Sequence, residues 1–182
     1  MNLKDKIQSF YFPSNKISEE CYSVLRGSTY GQFKYEGVEN LISEFKEYFD
    51  NPNAIFYDLG CGPGHLVFHI ALATNVEKAY GVEFEPKRFK LAEDNLKDNP
   101  DIKNVEFILE DFTKIDLSNA TIVYIDNAVI ENSVAQKVFD NLPTGCLVIS
   151  VRTIDKLNSK RTKKHMFRNY TSLPVYYTIK VN

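Results

Sequence analysis

Apolar residues in this chain recur with two different periods, and the alternation between them predicts the fold. From Glu36 to Phe49, the residues Val38, Leu41, Ile42, Phe45 and Phe49 follow helical spacing. Asn51-Pro52-Asn53 breaks that helix, and Ala54–Leu59 reads as a buried strand. A glycine loop comes next, then a helix from about His65 to Ala73. Ala79–Glu83 is a second strand, and Pro86 opens a helix running to about Lys97. Val105–Leu109 and Thr121–Ile125 are strands three and four, and a helix is expected near Ser133–Asn141. Pro143-Thr144-Gly145 turns into strand five, Cys146–Val151, and the tail closes with a β-rich run, Pro174–Val181. Alternating strands and helices imply an α/β fold, a mostly parallel sheet with helices on both faces. Residues 1–35 are less periodic and read as an N-terminal lid or extension; residues 36–182 read as the single folded domain.

The chain has 182 residues, 43% of them hydrophobic, enough to bury a full core. Its formal net charge of −2 argues against wholesale nucleic-acid binding. The charge is unevenly spread. Residues 152–168 carry Arg152, Lys156, Lys160, Arg161, Lys163, Lys164 and Arg168 against Asp155 alone. That is +6 locally and leaves −8 for the remainder. No stretch is long enough to span a membrane, and Met1 to Phe10 lacks the apolar core of a secretory signal. Cys21, Cys61 and Cys146 are odd in number and lack metal-ligand spacing, so they are expected to be reduced thiols in a cytoplasmic or nuclear protein, with no metal site.

The chemistry is expected at the C-terminal strand ends, where open α/β sheets bind ligands. Strand one ends in Asp58, and Gly60, Gly62 and Gly64 follow. Glycines there permit a tight turn and close approach of backbone to ligand. A dinucleotide fingerprint would need glycine where His65 stands, and Asp58 would repel a pyrophosphate. A ligand with an amino-acid end and a nucleoside end fits better, and S-adenosyl-L-methionine is such a ligand. Glu83 ends strand two, placed to accept hydrogen bonds from ribose hydroxyls. Asp111-Phe112 follows strand three, suited to an adenine amino group and its ring. Asp126-Asn127 ends strand four, where the methyl group is expected. Taken singly, each acid also suits a helix cap and Phe112 a core position. Their joint occurrence at successive strand ends carries the cofactor assignment. His69 and His165 show no evident partners and read as structural or surface residues.

These runs resemble the class I S-adenosylmethionine-dependent methyltransferases, which adopt a Rossmann-like fold with a C-terminal antiparallel strand. More narrowly, the chain resembles the non-SET histone lysine methyltransferases named for disruption of telomeric silencing. The matching runs are Tyr30-Gly31, Asp58–Gly64, Ala73-Thr74-Asn75 with Tyr80-Gly81-Val82-Glu83, Asp111-Phe112, Asp126-Asn127 and Pro174-Val175-Tyr176-Tyr177. It also resembles small archaeal protein lysine methyltransferases. The resemblance implies that Asp58, Gly60, Gly62, Gly64, His65, Glu83, Asp111, Phe112, Asp126 and Asn127 hold the cofactor. It implies that Tyr30 closes over the cofactor, and that Asn127 and Tyr177 line a channel for the substrate lysine. The implied partner is a protein with an exposed lysine, such as a histone or nucleosome. Several positions depart from the pattern. Gln32 stands for a usual Glu, His65 for a frequent Gln, and Asp126 for the first of two Asn. The alternatives within this fold are an RNA or small-molecule methyltransferase and a non-catalytic cofactor-binding module. No Pro-Pro-aromatic run follows Asp126, which disfavours base-amine acceptors. Lys156–Arg168 is read as a charged connection that docks an acidic or phosphate-rich surface.

Overall fold

The computed structural model describes residues 1–11, 33–128, 130–154, 160–167 and 171–180. Seven strands form one sheet: β1 (Ile55–Leu59), β2 (Lys78–Glu83), β3 (Val105–Leu109), β4 (Ile122–Ile125), β5 (Leu147–Ser150), β6 (Lys160–Phe167) and β7 (Thr171–Ile179). Their order is β3-β2-β1-β4-β5-β7-β6, with β1 to β5 parallel and β7 antiparallel to both its neighbours. The order reverses between β1 and β4, so the crevice beyond their C-terminal ends is the expected ligand position.

Helices α1 (Leu3–Ser9), α2 (Tyr35–Glu44), α3 (Lys46–Phe49), α4 (His65–Ala73), α5 (Pro86–Lys97) and α6 (Asn132–Asp140) surround the sheet. Two apolar cores lie on its faces. One gathers Phe10, Val38, Leu41, Phe49, Phe56, Phe68 and Ile149. The other gathers Tyr57, Leu59, Val82, Val123, Ile125, Val138 and Phe139. Alternate residues of β1 divide between them, Phe56 to the first and Tyr57 to the second, as the period of two in a strand requires. Helix α4 is buried along nearly its whole length, in keeping with a sequence that is apolar apart from His65 and His69. Among the described residues no helix is long and apolar enough to cross a membrane.

The expected elements form close to their expected bounds, with four differences. The helix expected across Glu36–Phe49 is two helices, because the backbone at Phe45 leaves the helical region (φ −111°, ψ 35°). That break sets the Phe45 ring edge-on to Tyr177, with centroids 4.8 Å apart. Within the less periodic start of the chain, Leu3–Ser9 is helical, capped by the Asn2 side chain at 2.8 Å from the Asp5 amide. Phe10 then stacks on Phe68 of α4 at 4.1 Å. Residues 12–32, with Tyr30, Gly31 and Gln32, lie outside the described residues. The basic stretch read as a connection contains strand β6, which pairs with β7 from Lys160 opposite Tyr177 to Phe167 opposite Thr171. Lys156 and Arg168 lie outside the described residues. Finally, His69 has partners, and they are described below.

Candidate active site

The glycine loop after β1 is built by backbone geometry that side chains resist. Gly60, Gly62 and Gly64 have φ of 89°, 56° and 87°, in the left-handed region. The amides of Gly60 and Cys61 both donate to the Val82 carbonyl, at 2.8 and 3.0 Å. The Gly62 amide donates to Glu83 Oε2 at 2.9 Å, and the Glu85 amide to Oε1 at 2.9 Å. Glu83 is only 2% exposed. It therefore staples the glycine loop to the end of β2, and each oxygen keeps a lone pair for a ligand hydroxyl. A Cβ on Gly60 would meet nothing within 4 Å, so the loop borders open space there. A buried acceptor pair beside a glycine cradle fits the ribose and methionine ends of S-adenosylmethionine.

Asp58 is 3% exposed, and its carboxyl is held well above the usual carboxylate range. Burial is the main cause, and the charges of Glu83 and Asp126 add to it. The folded carboxyl thus holds its proton more tightly than the unfolded one. The stability it contributes is complete below the ordinary carboxylate range and is lost as pH rises through the raised folded value. Asp58→Asn is expected to melt higher than the wild type in the absence of cofactor. The gap should widen from about pH 4 to about pH 8, each kcal/mol appearing as about 2–4 °C. Thermal scans across that range check this. A constant gap, or a lower melting temperature for the variant at the alkaline end, would remove the cost assigned to the Asp58 charge. An acid kept in so unfavourable a place suits a cationic ligand group, which relieves the cost on binding.

The other strand ends are arranged as follows. Asp111 caps a short 3-10 turn, Phe112–Lys114, and its Oδ1 accepts from the Thr113 amide at 2.9 Å and the Thr113 hydroxyl at 2.8 Å. Those bonds hold its carboxyl below the usual range. Asp111 and Phe112 line a cleft of about 690 Å³ that continues along Ile115, Leu117, Val134 and Val138 of the following turn and α6. Asp126 Oδ1 accepts from the Ala128 amide at 3.1 Å and shapes the turn after β4. Asn127 is buried, and its side chain spans two backbones. Its Nδ2 donates to the Arg152 carbonyl at 3.1 Å, and its Oδ1 accepts from the Arg152 amide at 2.8 Å. Arg152 returns a bond from its guanidinium to the Ala128 carbonyl at 2.8 Å. The loops after β4 and β5 are thus laced together. Tyr177 is half-buried opposite Ile149, its ring against Phe45.

His65 is buried in the first turn of α4 and lies edge-on to Tyr11, with centroids 5.3 Å apart. Burial pushes its imidazole down to about 3, so it is neutral at physiological pH. His69 is buried and bridges two chain segments. Glu39 Oε1 lies 2.7 Å from its Nε2 and the Tyr11 hydroxyl 2.5 Å from its Nδ1. A carboxylate accepts only, so Nε2 carries the proton and Nδ1 accepts from Tyr11. The residues that supply its partners lie 30 and 58 positions away, beyond the reach of local pattern.

Two residues beside these strand ends escape the pattern of strand-end acids. Phe84 is 69% exposed directly after Glu83, a large apolar ring between two acids at the C-terminal end of β2. Its position between Glu83 and Glu85 was the available signal. Arg152 was counted only as charge, and nothing local marks it as a partner of Asn127.

A reversal point flanked by a glycine cradle and by acids at successive strand ends defines a class I methyltransferase, with S-adenosylmethionine as its methyl donor. The chain belongs to the ANTKMT methyltransferase domain family, whose profile matches residues 58–153, just over half of the chain. A protein-lysine N-methyltransferase of Saccharolobus islandicus is 38% identical over 69 residues, 38% of this chain and 43% of that protein. The chain thus matches less than half the length of that relative. Among solved structures, an RNA methyltransferase from Salinibacter ruber in complex with S-adenosyl-L-homocysteine superposes with a TM-score of 0.62. It is 24% identical, covering 78% of this chain and 88% of that one. A variant of MtNAS in complex with S-adenosylmethionine gives a TM-score of 0.63 at 16% identity, covering 99% of this chain and 72% of that one. At these identities the structural likeness is one of fold.

Proposed function

We propose that the chain is a protein-lysine N-methyltransferase. The observation that carries this reading is the stretch 38% identical to the archaeal lysine methyltransferase. The absence of a Pro-Pro-aromatic run after Asp126 supports it. Bound S-adenosylmethionine supplies an activated methyl group on a sulfonium, so little acid–base chemistry falls to the protein. Asp58 and Glu83 bind and orient the donor, and Asp111 with Phe84 and Phe112 accommodates its base. The remaining task is to align a neutral amine and keep water out. A lysine is protonated in water, and burial beside positive charge lowers its pKa. The lacing of Asn127 to Arg152 would fix the wall past which the amine approaches, and Asn127 Oδ1 accepts one bond there and retains a second lone pair.

The test is mass spectrometry on cell lysate and purified histones incubated with the protein and isotopically labelled S-adenosylmethionine. Label on lysine side chains is expected; label on RNA or on small molecules alone would replace this reading with one of the alternatives. A second measurement addresses Asn127. Asn127→Ala is expected to lower turnover by about 100-fold, the cost of misplacing an approach geometry, while cofactor affinity changes by less than about threefold. Equal losses in turnover and cofactor affinity would assign Asn127 to donor binding instead.

A further inference from the structure

The connection from β3 to β4 crosses over β2 and β1, and in residues 110–121 it carries only the 3-10 turn Phe112–Lys114. Crossovers between parallel strands usually hold an α-helix. The connection and α6 lie on the same face of the sheet, since Leu117 and Ala120 share a core with Val138 and Phe139. With no helix between them, a cleft of about 690 Å³ opens from Asp111 and Phe112 along the side of α6. That volume falls in the range of roughly 300–1,000 Å³ that encloses a drug-sized ligand. An adenine held at Asp111 and Phe112 takes up only one end of it.

The middle of the cleft is apolar. Ile115 and Leu117 line one wall, and Val134 and Val138 the other. The two valines are one helical turn apart, about 6 Å along the axis. Polar groups stand at both ends, and their partners are local. At the near end Asp111 Oδ1 is taken by the Thr113 amide and hydroxyl, which leaves Oδ2 to accept one N–H. At the far end Asp140 Oδ1 accepts from Gln136 Nε2 at 2.8 Å, and Asn141 Nδ2 donates to the Lys137 carbonyl at 3.0 Å. Lys137 is exposed to water. The far end thus holds one cation and one acid and demands no charge of an occupant. An adenine amino group has two N–H bonds, and Asp111 needs one of them. The second can be replaced by an apolar group, which the cleft would take out of water.

We propose that the donor site is open at the adenine amino edge, and that the cleft between the Phe112 turn and α6 binds an uncharged apolar substituent on that nitrogen. The inference rests on the assignment of Asp111 to the adenine amino group and extends the donor site by one subsite. Its ligands are adenosyl compounds of the donor class that carry a benzyl-sized group on the amino nitrogen. It concerns the donor alone and does not depend on which acceptor is methylated.

The experiment uses the full chain and two ligands, S-adenosylhomocysteine and its derivative benzylated on the adenine amino nitrogen. Calorimetric titration at several temperatures measures affinity and the heat-capacity change of binding. The benzyl ligand is expected to bind at least as tightly as the parent, with a more negative heat-capacity change, the mark of apolar surface leaving water. Val134→Phe, at a half-buried position, grows a ring into the cleft. It is expected to weaken the benzyl ligand by about tenfold or more and the parent by less than about twofold. The wild-type comparison decides the matter even if that variant folds poorly. A benzyl ligand that binds the wild type more weakly than the parent does overturns the subsite and leaves the donor site standing. So does an equal heat-capacity change for the two ligands, which would mean a benzyl group left in water. A folded Val134→Phe that treats the two ligands alike overturns it as well. Failure of both ligands to bind overturns the donor site itself.

Discussion

Glu83→Ala is expected to weaken S-adenosylmethionine binding by about 2–4 kcal/mol, roughly 30- to 800-fold in Kd. Two effects combine. The variant loses the acceptor for the ligand hydroxyls. It also strands the amides of Gly62 and Glu85, whose acceptors at 2.9 Å are the two Glu83 oxygens. The informative comparison is Glu83→Gln. It keeps the size of the side chain but replaces one oxygen with an NH2 that cannot accept from a backbone N–H. It is therefore expected to lose most of what Glu83→Ala loses, although it removes only a charge and one acceptor. Calorimetric titration of the three proteins measures this. Wild-type affinity in Glu83→Gln would show that the carboxylate does not hold the loop.

The second large effect concerns stability. Gly64→Ala is expected to destabilise the fold by about 2–4 kcal/mol and to lower the melting temperature by roughly 5–15 °C. Gly64 has φ +87°, and a Cβ there would stand 2.5 Å from Phe107 Cζ. Phe107 cannot easily yield. It is buried and meets Phe68 edge-on at 5.4 Å, beneath Phe10. Gly145 is the control, because it has the same φ of +87° with nothing within 4 Å of the added atom. Gly145→Ala should lose only the conformational part, about 1–2 kcal/mol. Equal losses in the two variants would mean that the Phe107 contact is relieved at no cost.

The comparison between Gly64 and Gly145 illustrates what sequence can convey. Both glycines sit at turns that a reader marks from the glycines themselves, since only local backbone freedom is involved. That Phe107 presses on one and not the other depends on which strand lies next to which. The glycine at position 81 makes the same point: a Cβ there would lie 2.6 Å from Phe107 Cδ1 and 2.7 Å from Cys61 Sγ.

Helix bounds were legible where local rules act alone. Pro86–Lys97 and His65–Ala73 form as expected, since proline at a first turn and glycine before a helix are local signals. The break at Phe45 was not legible, because the apolar spacing continues through it and Tyr177, the ring that Phe45 meets there, lies 132 residues away. Strand β6 was hidden for a related reason. Its run of cations lacks an alternating pattern, and it forms by pairing with β7.

The candidate site divides along the same line. The amino-acid sequence by itself determined the strand order of chemistry: an acid and glycines after β1, and acids after β2, β3 and β4. Those positions follow from the periods of strands and helices, which are properties of neighbouring residues. Only the tertiary structure decided what the acids do. It buried Asp58 beside Glu83, turned Glu83 onto the Gly62 amide, bound Asn127 to Arg152 and joined His69 to Tyr11 and Glu39. Each of these joins segments far apart in the chain, and hydrogen bonding and desolvation depend on distance in space, which no local pattern encodes.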